Sequence, residues 1–321
     1  MTRVGYFMRA ADDVYAAIRR AMPDGVEVVT LGDGSSPLDL LPGLDFVIAG
    51  KMSAEMIRAG SRLKLIQTPG VGYDGIDLDA AARAGIPVAF TVCGNTDEVA
   101  EHTLLLMLAV SRRLSEIDAA LRRGEWMMWS RRTVSHSLKG KRLGLVGFGR
   151  IGQAVAVRAA AFGMEIAYSD PVPAEGFARR ELDELIAESD YLSLHVPLTG
   201  ETRGMITGAR IRAMKQGSFF INTSRGELVD EAALVAALQD GHLAGAGLDV
   251  FAAEPPPMSH PLFALPNVVL TPHVGSGTAE SLAEKAAWYA QNIRRVMAGQ
   301  EPLSLVPEMA PAAVSGKGGQ P

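Results

Sequence analysis

The sequence predicts an α/β protein built from two doubly wound parallel-sheet domains. Its 321 residues exceed what one hydrophobic core usually organises, which favours two domains. Short β-branched or apolar runs alternate with longer helical patterns, a rhythm typical of parallel sheets covered by helices. This alternation occurs twice, on either side of a long helical stretch that begins near Asn95.

The first series of elements begins close to the amino terminus. Helices are predicted over Asp12–Met22 and Ser53–Gly60. Residues Gly32–Gly43 are rich in Gly, Pro and Ser and predict a surface loop. The predicted strands of this series are Arg3–Met8, Val26–Thr30, Phe46–Ala49, Leu63–Gln67 and Pro87–Phe90.

The second series follows the long helical stretch. Its helices include Ile151–Phe162 and Glu231–Asp240, the latter preceded by Asp230 in a capping position. Asn95 with Glu98 has the form of a capping box, so we expect a helix to begin there. The predicted strands are Arg142–Val146, Glu165–Ser169, Tyr191–Leu194, Ser218–Asn222, Gly245–Asp249 and Val268–Leu270.

The carboxyl-terminal part of the sequence suggests how the two series are connected. A last predicted helix, Thr278–Met297, is long enough to return to the first domain. The tail after Gly299 is rich in Pro, Ala and Gly and predicts disorder at its end. We therefore expect a domain of residues 95–284 inserted into a domain of residues 1–94 and 285–321.

Composition excludes several functional classes. A net charge of -5 gives no reason to expect nucleic acid or acidic membranes as partners. Cys93 is the only cysteine, so no intrachain disulfide is possible, and the histidines lack a zinc-ligand pattern, so we expect no metal. The longest apolar run, Thr103–Val110, is too short to span a bilayer. The early first strand leaves no room for a signal peptide, and we expect a cytoplasmic protein.

The strongest motif is a glycine triplet at a strand-to-helix turn. Gly147, Gly149 and Gly152 follow the strand Arg142–Val146 and open a helix. In such a turn the glycines allow a tight bend, close approach of a pyrophosphate and close helix packing, and the helix start offers N–H groups to that pyrophosphate. The motif therefore predicts a Rossmann-type dinucleotide-binding domain. Its predicted cofactor contacts are Gly147, Gly149, Arg150, Ile151 and Gly152.

An acidic residue at the end of the next strand bears on the choice of cofactor. Asp170 stands about where this motif places the carboxylate that binds the adenosine ribose. Before Pro171 it could also be a simple turn residue. A carboxylate there repels a ribose 2′-phosphate, and no arginine follows in the next few residues. We therefore expect NAD (NADH) rather than NADP.

Three polar residues in loops after predicted strands form a candidate catalytic set. Arg225, Glu254 and His273 each follow one of the last three strands, and such carboxyl-end loops form the ligand crevice of doubly wound sheets. Oxidation of a hydroxy acid needs a cation for the carboxylate, a base for the hydroxyl proton and a partner for that base. Singly, each residue could be a turn, solvated-loop or strand-end residue. As an ordered set they favour catalysis.

These segments resemble those of the D-isomer-specific 2-hydroxyacid dehydrogenase family. The similarity extends from about Leu63 to Trp288, and the motifs occur in the family's order. They are Thr68–Asp74, Val99–Thr103, the glycine turn, Leu194–Thr199 and the three catalytic segments. The resemblance implies a Rossmann-type NAD domain inserted into a flavodoxin-like substrate domain. It also implies an oxidoreductase that interconverts a small D-2-hydroxy acid and its 2-oxo acid.

The resemblance implies a role for each site residue. Arg225 binds the substrate, His273 exchanges the hydroxyl proton, and Glu254 stabilises the protonated imidazole. Substrate contacts are also implied at Lys51, Met52, Val71 and Gly72, the last two through backbone N–H groups, besides Arg225 and His273. Further positions that match cofactor contacts are Val99, His195, Val196, Pro197, Thr199, Thr202, Thr223, Ser224, Asp249 (near the nicotinamide amide), His273 and Gly275.

The same resemblance leaves two alternative functions open and implies a partner subunit. NAD-sensing corepressors share the fold and the three catalytic residues, and formate and phosphite dehydrogenases share the scaffold. Phosphite enzymes carry a lysine where this chain has Val71. We expect a homodimer through the NAD domain. Trp126 and Trp129 are similar to residues of the glyoxylate/hydroxypyruvate branch, where a partner subunit lends an aromatic side chain to the active site.

Overall fold

The computed structural model describes residues 1–32 and 35–309. The chain divides into two compact units. The first comprises Met1–Asn95 and the chain from Thr278 onward, and the second comprises Thr96–Gly277. The return to the first unit occurs at Thr278 rather than at residue 285, because the helix Ala279–Met297 packs as a whole into that unit's core.

The first unit contains a five-stranded parallel sheet. The strands are arranged in the order β2-β1-β3-β4-β5, the flavodoxin-like order of a doubly wound sheet, and each pairing is parallel. The predicted fold of this unit is confirmed. Strands β1 to β5 are Thr2–Tyr6, Val26–Thr30, Phe46–Ile48, Leu65–Gln67 and Val88–Ala89.

Helices cover both faces of this sheet. Side chains along a strand point alternately to opposite faces. Accordingly, Phe46 and Ile48 pack with residues of α1 and α11, whereas Val47 packs with residues of α3 and α4. The helices of this unit in the described residues are α1 Asp12–Ala21, α2 Pro37–Leu40, α3 Ala54–Ala59, α4 Leu78–Ala84 and α11 Ala279–Met297.

The second unit contains a seven-stranded parallel sheet. Its strands, β6 to β12, are Arg142–Val146, Glu165–Ser169, Ala178–Arg179, Tyr191–Leu194, Ser218–Asn222, Leu243–Leu248 and Val268–Leu270. They are arranged β12-β11-β10-β9-β6-β7-β8, the Rossmann order extended by one strand. The chain proceeds outward from β6 to β8 and then returns to β9. The loops after β6 and β9 therefore flank the switch point where such sheets bind ligands.

The long helical stretch after Asn95 forms two helices rather than one. Arg113 has a left-handed backbone with φ of 55°, which ends α5 and starts α6 in a new direction. Its guanidinium donates to the carbonyl oxygen of Ala244 at 3.3 Å. Helices of the second unit are α5 Thr96–Ser111, α6 Leu114–Arg122, α7 Arg150–Ala161, α8 Leu182–Glu188, α9 Gly208–Ala213 and α10 Glu231–Gln239.

Three segments bear on the sequence predictions. The predicted loop Gly32–Gly43 contains α2 and a 3₁₀ turn, because Ser36 caps the first turn and Pro37 starts it. Strand β8 was not predicted, since two residues carry no alternation signal. The end of the tail, where we predicted disorder, lies outside the described residues.

Candidate active site

The glycine turn after β6 is built around two positions without room for a side chain. Gly147 has φ of 93°, and a Cβ atom on it would lie 2.5 Å from the carbonyl oxygen of His195. A Cβ on Gly152 would lie 2.4 Å from the carbonyl oxygen of Gly147. A Cβ on Gly149, in contrast, would meet no protein atom within 4 Å. The packing of the chain thus explains why positions 147 and 152 must be glycine. It does not explain Gly149, where the open space fits a closely approaching pyrophosphate.

The start of α7 is also suited to an anion. The helix begins at Arg150 with no side-chain cap and no acidic residue in its first turn. At the start of α10, in contrast, the Asp230 carboxylate accepts the N–H of Ala233 at 3.0 Å, as predicted. A helix start with neither a cap nor an acid keeps its N–H groups and its positive end for a phosphate. These residues fit a dinucleotide.

Asp170 is fixed at the end of β7 beside this turn. Its carboxylate accepts the N–H of Phe148 at 2.7 Å and that of Val172 at 2.8 Å. The guanidinium of Arg179 donates to the carbonyl oxygens of Asp170 and Pro171 at 3.0 and 3.3 Å. No arginine directly follows Asp170 in the sequence, but the unpredicted strand β8 places Arg179 beside it.

Val99 is buried on helix α5, and the other predicted cofactor residues of the second unit lie in loops after neighbouring strands. Desolvation lowers the pKa of the His195 imidazole to about 4, which leaves the ring neutral near pH 7. The Ser224 hydroxyl donates to the carbonyl oxygen of Val196 and so ties the loops after β9 and β10 together. Thr202 donates to the carbonyl oxygen of Pro197 at 2.7 Å and accepts the N–H of Thr199 at 2.8 Å.

Arg225 lies in a tight turn at the carboxyl end of β10. The buried side chain of Asn222 holds this turn, because its amide donates to the Arg225 carbonyl oxygen at 2.8 Å and its oxygen accepts the Ser224 N–H at 3.0 Å. A Cβ on Gly226 would lie 2.0 Å from the backbone carbon of Phe251. Only glycine therefore lets the Arg225 turn pack against the loop that carries Glu254.

His273 and Glu254 form a hydrogen-bonded pair. Nδ1 of His273 lies 2.8 Å from Oε2 of Glu254, and the other carboxylate oxygen accepts the N–H of Phe251 at 3.1 Å. The His273 side chain is 47% exposed, so a substrate can reach its ring. Within the second unit, the structure brings together the base and the partner that the sequence predicted.

The charge of Glu254 is set by its surroundings. Burial by itself raises the pKa of this carboxyl, but the hydrogen bond and charge of His273, the Phe251 N–H and the charge of Arg225 lower it below its ordinary value. Glu254 is therefore a carboxylate near neutral pH. The structure thus brings the guanidinium of Arg225, the carboxylate of Glu254 and the imidazole of His273 together within one unit.

Comparison with known families identifies the chain. The model for the family described as "D-isomer specific 2-hydroxyacid dehydrogenase, NAD binding domain" matches residues 104–275. The chain belongs to the D-isomer-specific 2-hydroxyacid dehydrogenase family. It is thus an oxidoreductase with an NAD(P)-binding domain, and the matched segment covers β6 to β12.

Curated relatives of this dehydrogenase include two kinds of enzyme. A glyoxylate reductase of Thermofilum pendens is 44% identical over 271 residues, which are 81% of this chain and 79% of that protein. A D-3-phosphoglycerate dehydrogenase of Mycobacterium leprae is 40% identical over 96% of this chain. The chain spans 58% of the length of that second relative.

Solved structures similar to the dehydrogenase differ in cofactor. A D-lactate dehydrogenase from Aquifex aeolicus, complexed with NAD and lactic acid, has 32% identity and a TM-score of 0.81, covering 92% of this chain and 96% of that one. An NADPH-dependent glyoxylate/hydroxypyruvate reductase from Sinorhizobium meliloti, in complex with NADP and malonate, has 32% identity and a TM-score of 0.83, covering 96% and 97%. An NAD-dependent formate dehydrogenase from Staphylococcus aureus has 31% identity and a TM-score of 0.86, covering 95% and 99%.

Sequence reasoning missed part of the surroundings of Asp249 in this dehydrogenase. The carboxylate of Asp249 is buried and accepts hydrogen bonds from the Thr271 hydroxyl and the N–H groups of Val274 and Gly275. His102, for which the sequence indicated no ligand role, lies beside it on α5. No sequence pattern could have found this cluster, because its members come from α5, β11 and the loop after β12.

The predicted substrate contacts of the first unit differ in how exposed their side chains are. Val71 is 39% exposed and Lys51 is exposed, so both can meet a ligand. Met52 is fully buried among the hydrophobic residues of its own unit, and its backbone pairs with Gly75 and Asp77. The prediction that the Met52 side chain faces the substrate is therefore wrong.

Residues 1–32 and 35–309 contain no helix that is long and apolar enough to cross a membrane. In the same residues, no cluster of three or more His, Cys, Asp or Glu side chains is arranged to hold a metal ion.

Proposed function

We propose that this dehydrogenase interconverts a small D-2-hydroxy acid and its 2-oxo acid, with NAD as the hydride carrier. The observation that carries the proposal is the His273–Glu254 pair, which lies 2.8 Å apart beside the charge of Arg225. This set supplies a proton carrier, a counter-charge and a carboxylate-binding cation.

His273 is the proposed acid and base. Its Nδ1 bonds to Glu254, so Nε2 is the nitrogen for the substrate. In reduction Nε2–H gives its proton to the carbonyl oxygen of the 2-oxo acid, and in oxidation Nε2 takes the proton from the hydroxyl. NAD, held by the glycine turn and the first turn of α7, would supply the hydride chemistry at the neighbouring carbon when bound. Glu254, kept as a carboxylate, stabilises the imidazolium that reduction consumes and oxidation forms.

Arg225 is the proposed ligand for the substrate carboxylate. A guanidinium presents a planar pair of N–H donors that matches the two oxygens of a carboxylate. The Asn222 side chain holds the backbone of this turn, which limits how far the guanidinium can move. In the first unit, the backbone N–H groups of Val71 and Gly72 and the exposed Lys51 remain proposed contacts.

NAD is the proposed cofactor, held by the glycine turn, the first turn of α7 and Asp170. The Asp170 carboxylate, fixed by two backbone N–H groups, is suited to a ribose diol and repels a 2′-phosphate. Arg179 at the same corner reduces that repulsion. We therefore propose a preference for NADH, with NADPH as a poorer second cofactor.

The names of the relatives support substrates of two or three carbons. Glyoxylate and hydroxypyruvate are named for two of the similar proteins, and we propose these as the first compounds to assay.

The exposed side chains of Trp126 and Trp129 on the second unit support a homodimer through that unit, since exposed tryptophans are typical of interfaces. A cytoplasmic location stays a prediction.

Turnover of a 2-oxo acid with NADH tests the proposal directly. Purified protein is assayed for loss of NADH absorbance with glyoxylate, hydroxypyruvate and pyruvate, and separately for NAD reduction with formate and phosphite. We expect turnover in the first set. Activity with formate or phosphite alone would favour those enzymes, and NAD binding without any turnover would favour an NAD-sensing interaction protein.

A further inference from the structure

A buried carboxylate holds the turn that presents His273. The Asp249 side chain is 2% exposed. It accepts the Thr271 hydroxyl at 2.6 Å and the N–H groups of Val274 and Gly275 at 2.9 and 2.8 Å. These donors lie on both sides of His273 in the chain, so a single carboxylate fixes the turn before and after the proposed acid and base.

The backbone of His273 needs such a support. Its φ is 54°, in the left-handed region that a residue with a side chain rarely occupies. Its N–H donates to the backbone carbonyl oxygen of Asp249 at 2.8 Å. Conformations of this kind persist only where surrounding contacts determine them, and here the side chain and the carbonyl of Asp249 supply these contacts.

His102 completes the network from helix α5. Its Nε2 lies 2.9 Å from the Thr271 hydroxyl oxygen and 3.4 Å from Oδ1 of Asp249. The Thr271 hydroxyl has one proton and gives it to Asp249, so it accepts its second hydrogen bond from Nε2–H of His102. The order of donation is therefore His102 to Thr271 to Asp249.

The same helix supports the neighbouring catalytic turn. The hydroxyl of Thr103, the residue after His102, lies 3.0 Å from the hydroxyl of Thr223, two residues before Arg225. Helix α5 thus contacts the turns that carry Arg225 and His273 through consecutive side chains.

We propose that His102 is a positioning residue for His273, acting through Thr271 and Asp249. The inference rests on the proposed role of His273 as acid and base. Proton transfer depends steeply on the placement of the reacting nitrogen, and supporting hydrogen bonds are what hold such groups within a few tenths of an ångström. Loss of the Nε2–H donor leaves the Thr271 hydroxyl free to rotate away from Asp249, and the turn around His273 loosens.

Variants of Thr271 test the network with little change of shape. Thr271→Val removes the hydroxyl and keeps the volume, whereas Thr271→Ser keeps the hydroxyl. We expect Thr271→Val to lower kcat about tenfold with little change in KM for NADH, and Thr271→Ser to recover most of that loss. His102→Leu has the same effect as Thr271→Val, and His102→Gln, which retains a donor, has a smaller one.

The double variant and a control separate positioning from general stability. In the combined His102→Leu and Thr271→Val protein we expect no further loss of kcat, because both changes break one chain of hydrogen bonds. Ser111→Ala is the control, since the Ser111 hydroxyl on the same helix bonds to Tyr191 at 2.8 Å and has no link to His273. It lowers the unfolding temperature and leaves kcat unchanged.

Amide hydrogen exchange gives a readout that needs no turnover. In cofactor-free protein we expect faster exchange at Val274 and Gly275 in Thr271→Val and His102→Leu but not in Ser111→Ala. Unchanged exchange and unchanged kcat in both variants would overturn the inference. If wild type turns over no 2-oxo acid but the variants show the expected exchange differences, the proposed function alone is refuted. Should Thr271→Val fail to fold, His102→Leu against His102→Gln decides.

Discussion

At the scale of single residues, the proposed chemistry depends on charges that the second unit fixes. Glu254 is a carboxylate because His273 and the Phe251 N–H outweigh its burial. Asp249 is buried as well, and the neighbouring His102 imidazole, together with hydrogen bonds from the Thr271 hydroxyl and the Val274 N–H, lowers the pKa of its carboxyl. Glu254 thus contacts the ring of His273, whereas Asp249 holds the chain on both sides of His273.

Replacing Arg225 by Lys tests the carboxylate-binding role. A lysine keeps the charge but lacks the planar pair of donors, so we expect kcat/KM for the 2-oxo acid to fall by about 100-fold or more. Steady-state kinetics measure this loss. Arg212→Lys, at an exposed ion pair with Asp240, is the control. Near-normal efficiency of Arg225→Lys would remove Arg225 from the substrate site.

Replacing Glu254 by Gln tests the pairing with His273. The Glu254 carboxylate bonds to Nδ1 of His273 and carries the negative charge proposed to stabilise the imidazolium. Gln keeps the size of the side chain but lacks the charge, so we expect kcat of reduction to fall by about tenfold or more with NADH affinity retained. Steady-state kinetics and NADH titration measure the two effects, and a kcat equal to that of wild type would contradict the pairing that the 2.8 Å contact indicates.

Variants of Asp170 and Arg179 test the cofactor preference. Asp170→Ala removes the repulsion of a 2′-phosphate and the ribose contact, so we expect weaker NADH binding and a higher NADPH to NADH ratio of kcat/KM. Arg179→Ala should lower that ratio and leave NADH binding unchanged. Fluorescence titration with both cofactors measures the affinities. Ratios that stay at the wild-type value in both variants would exclude this corner from ribose recognition.

The sequence could place candidate site residues near one another where a site follows from strand order. Arg225, Glu254 and His273 could be placed in one crevice because they follow parallel strands of one sheet. Arg179 and His102 could not, since the first depends on a two-residue strand and the second on how α5 packs. Met52 was misjudged because a position in the chain does not tell which side of a loop a side chain faces.

At the scale of elements, the turn from β6 into α7 contains glycines that packing requires and one glycine that only ligand binding explains. The clash of a Cβ on Gly152 with the Gly147 carbonyl costs about 2 kcal/mol, more than the roughly 1 kcal/mol that alanine gains in a helix. Gly149→Ala meets no protein atom, so its unfolding free energy should stay within about 0.5 kcal/mol of wild type.

The two glycine variants therefore make a matched pair. We expect Gly152→Ala to lower both the unfolding temperature and the affinity for NADH, and Gly149→Ala to lower the affinity alone, by about tenfold or more. Thermal unfolding and NADH titration measure the two effects. A Gly149→Ala protein that binds NADH normally would contradict the location of the pyrophosphate at this turn.

Element boundaries were predictable where strands are buried and bounded by turn residues. Arg142–Val146, Glu165–Ser169, Tyr191–Leu194, Ser218–Asn222 and Val268–Leu270 end where the sequence placed them. The sequence predicted a loop where α2 lies and did not predict the break at Arg113. The first is a single short turn inside a Gly- and Pro-rich segment, and the second depends on one residue adopting a left-handed backbone.

At the scale of the whole molecule, the alternating pattern of strands and helices was enough to predict two doubly wound sheets. It could not fix the point of return to the first unit. Helix α11 is continuous in sequence, and only its packing against β1, β3 and β4 residues shows that its first turn belongs there. Parallel strands that are distant in sequence form each sheet, so periodicity predicts their existence while tertiary packing determines their order.

The central claim is that His273, paired with Glu254, transfers the proton in a hydride exchange with a 2-oxo acid. The most direct measurement compares NADH oxidation by wild type and His273→Asn with glyoxylate and hydroxypyruvate, alongside NADH titration of both proteins. We predict turnover in wild type and a loss of about 100- to 10,000-fold in the variant, with NADH affinity retained. Equal rates in the two proteins, or no turnover of any 2-oxo acid by wild type, would contradict it.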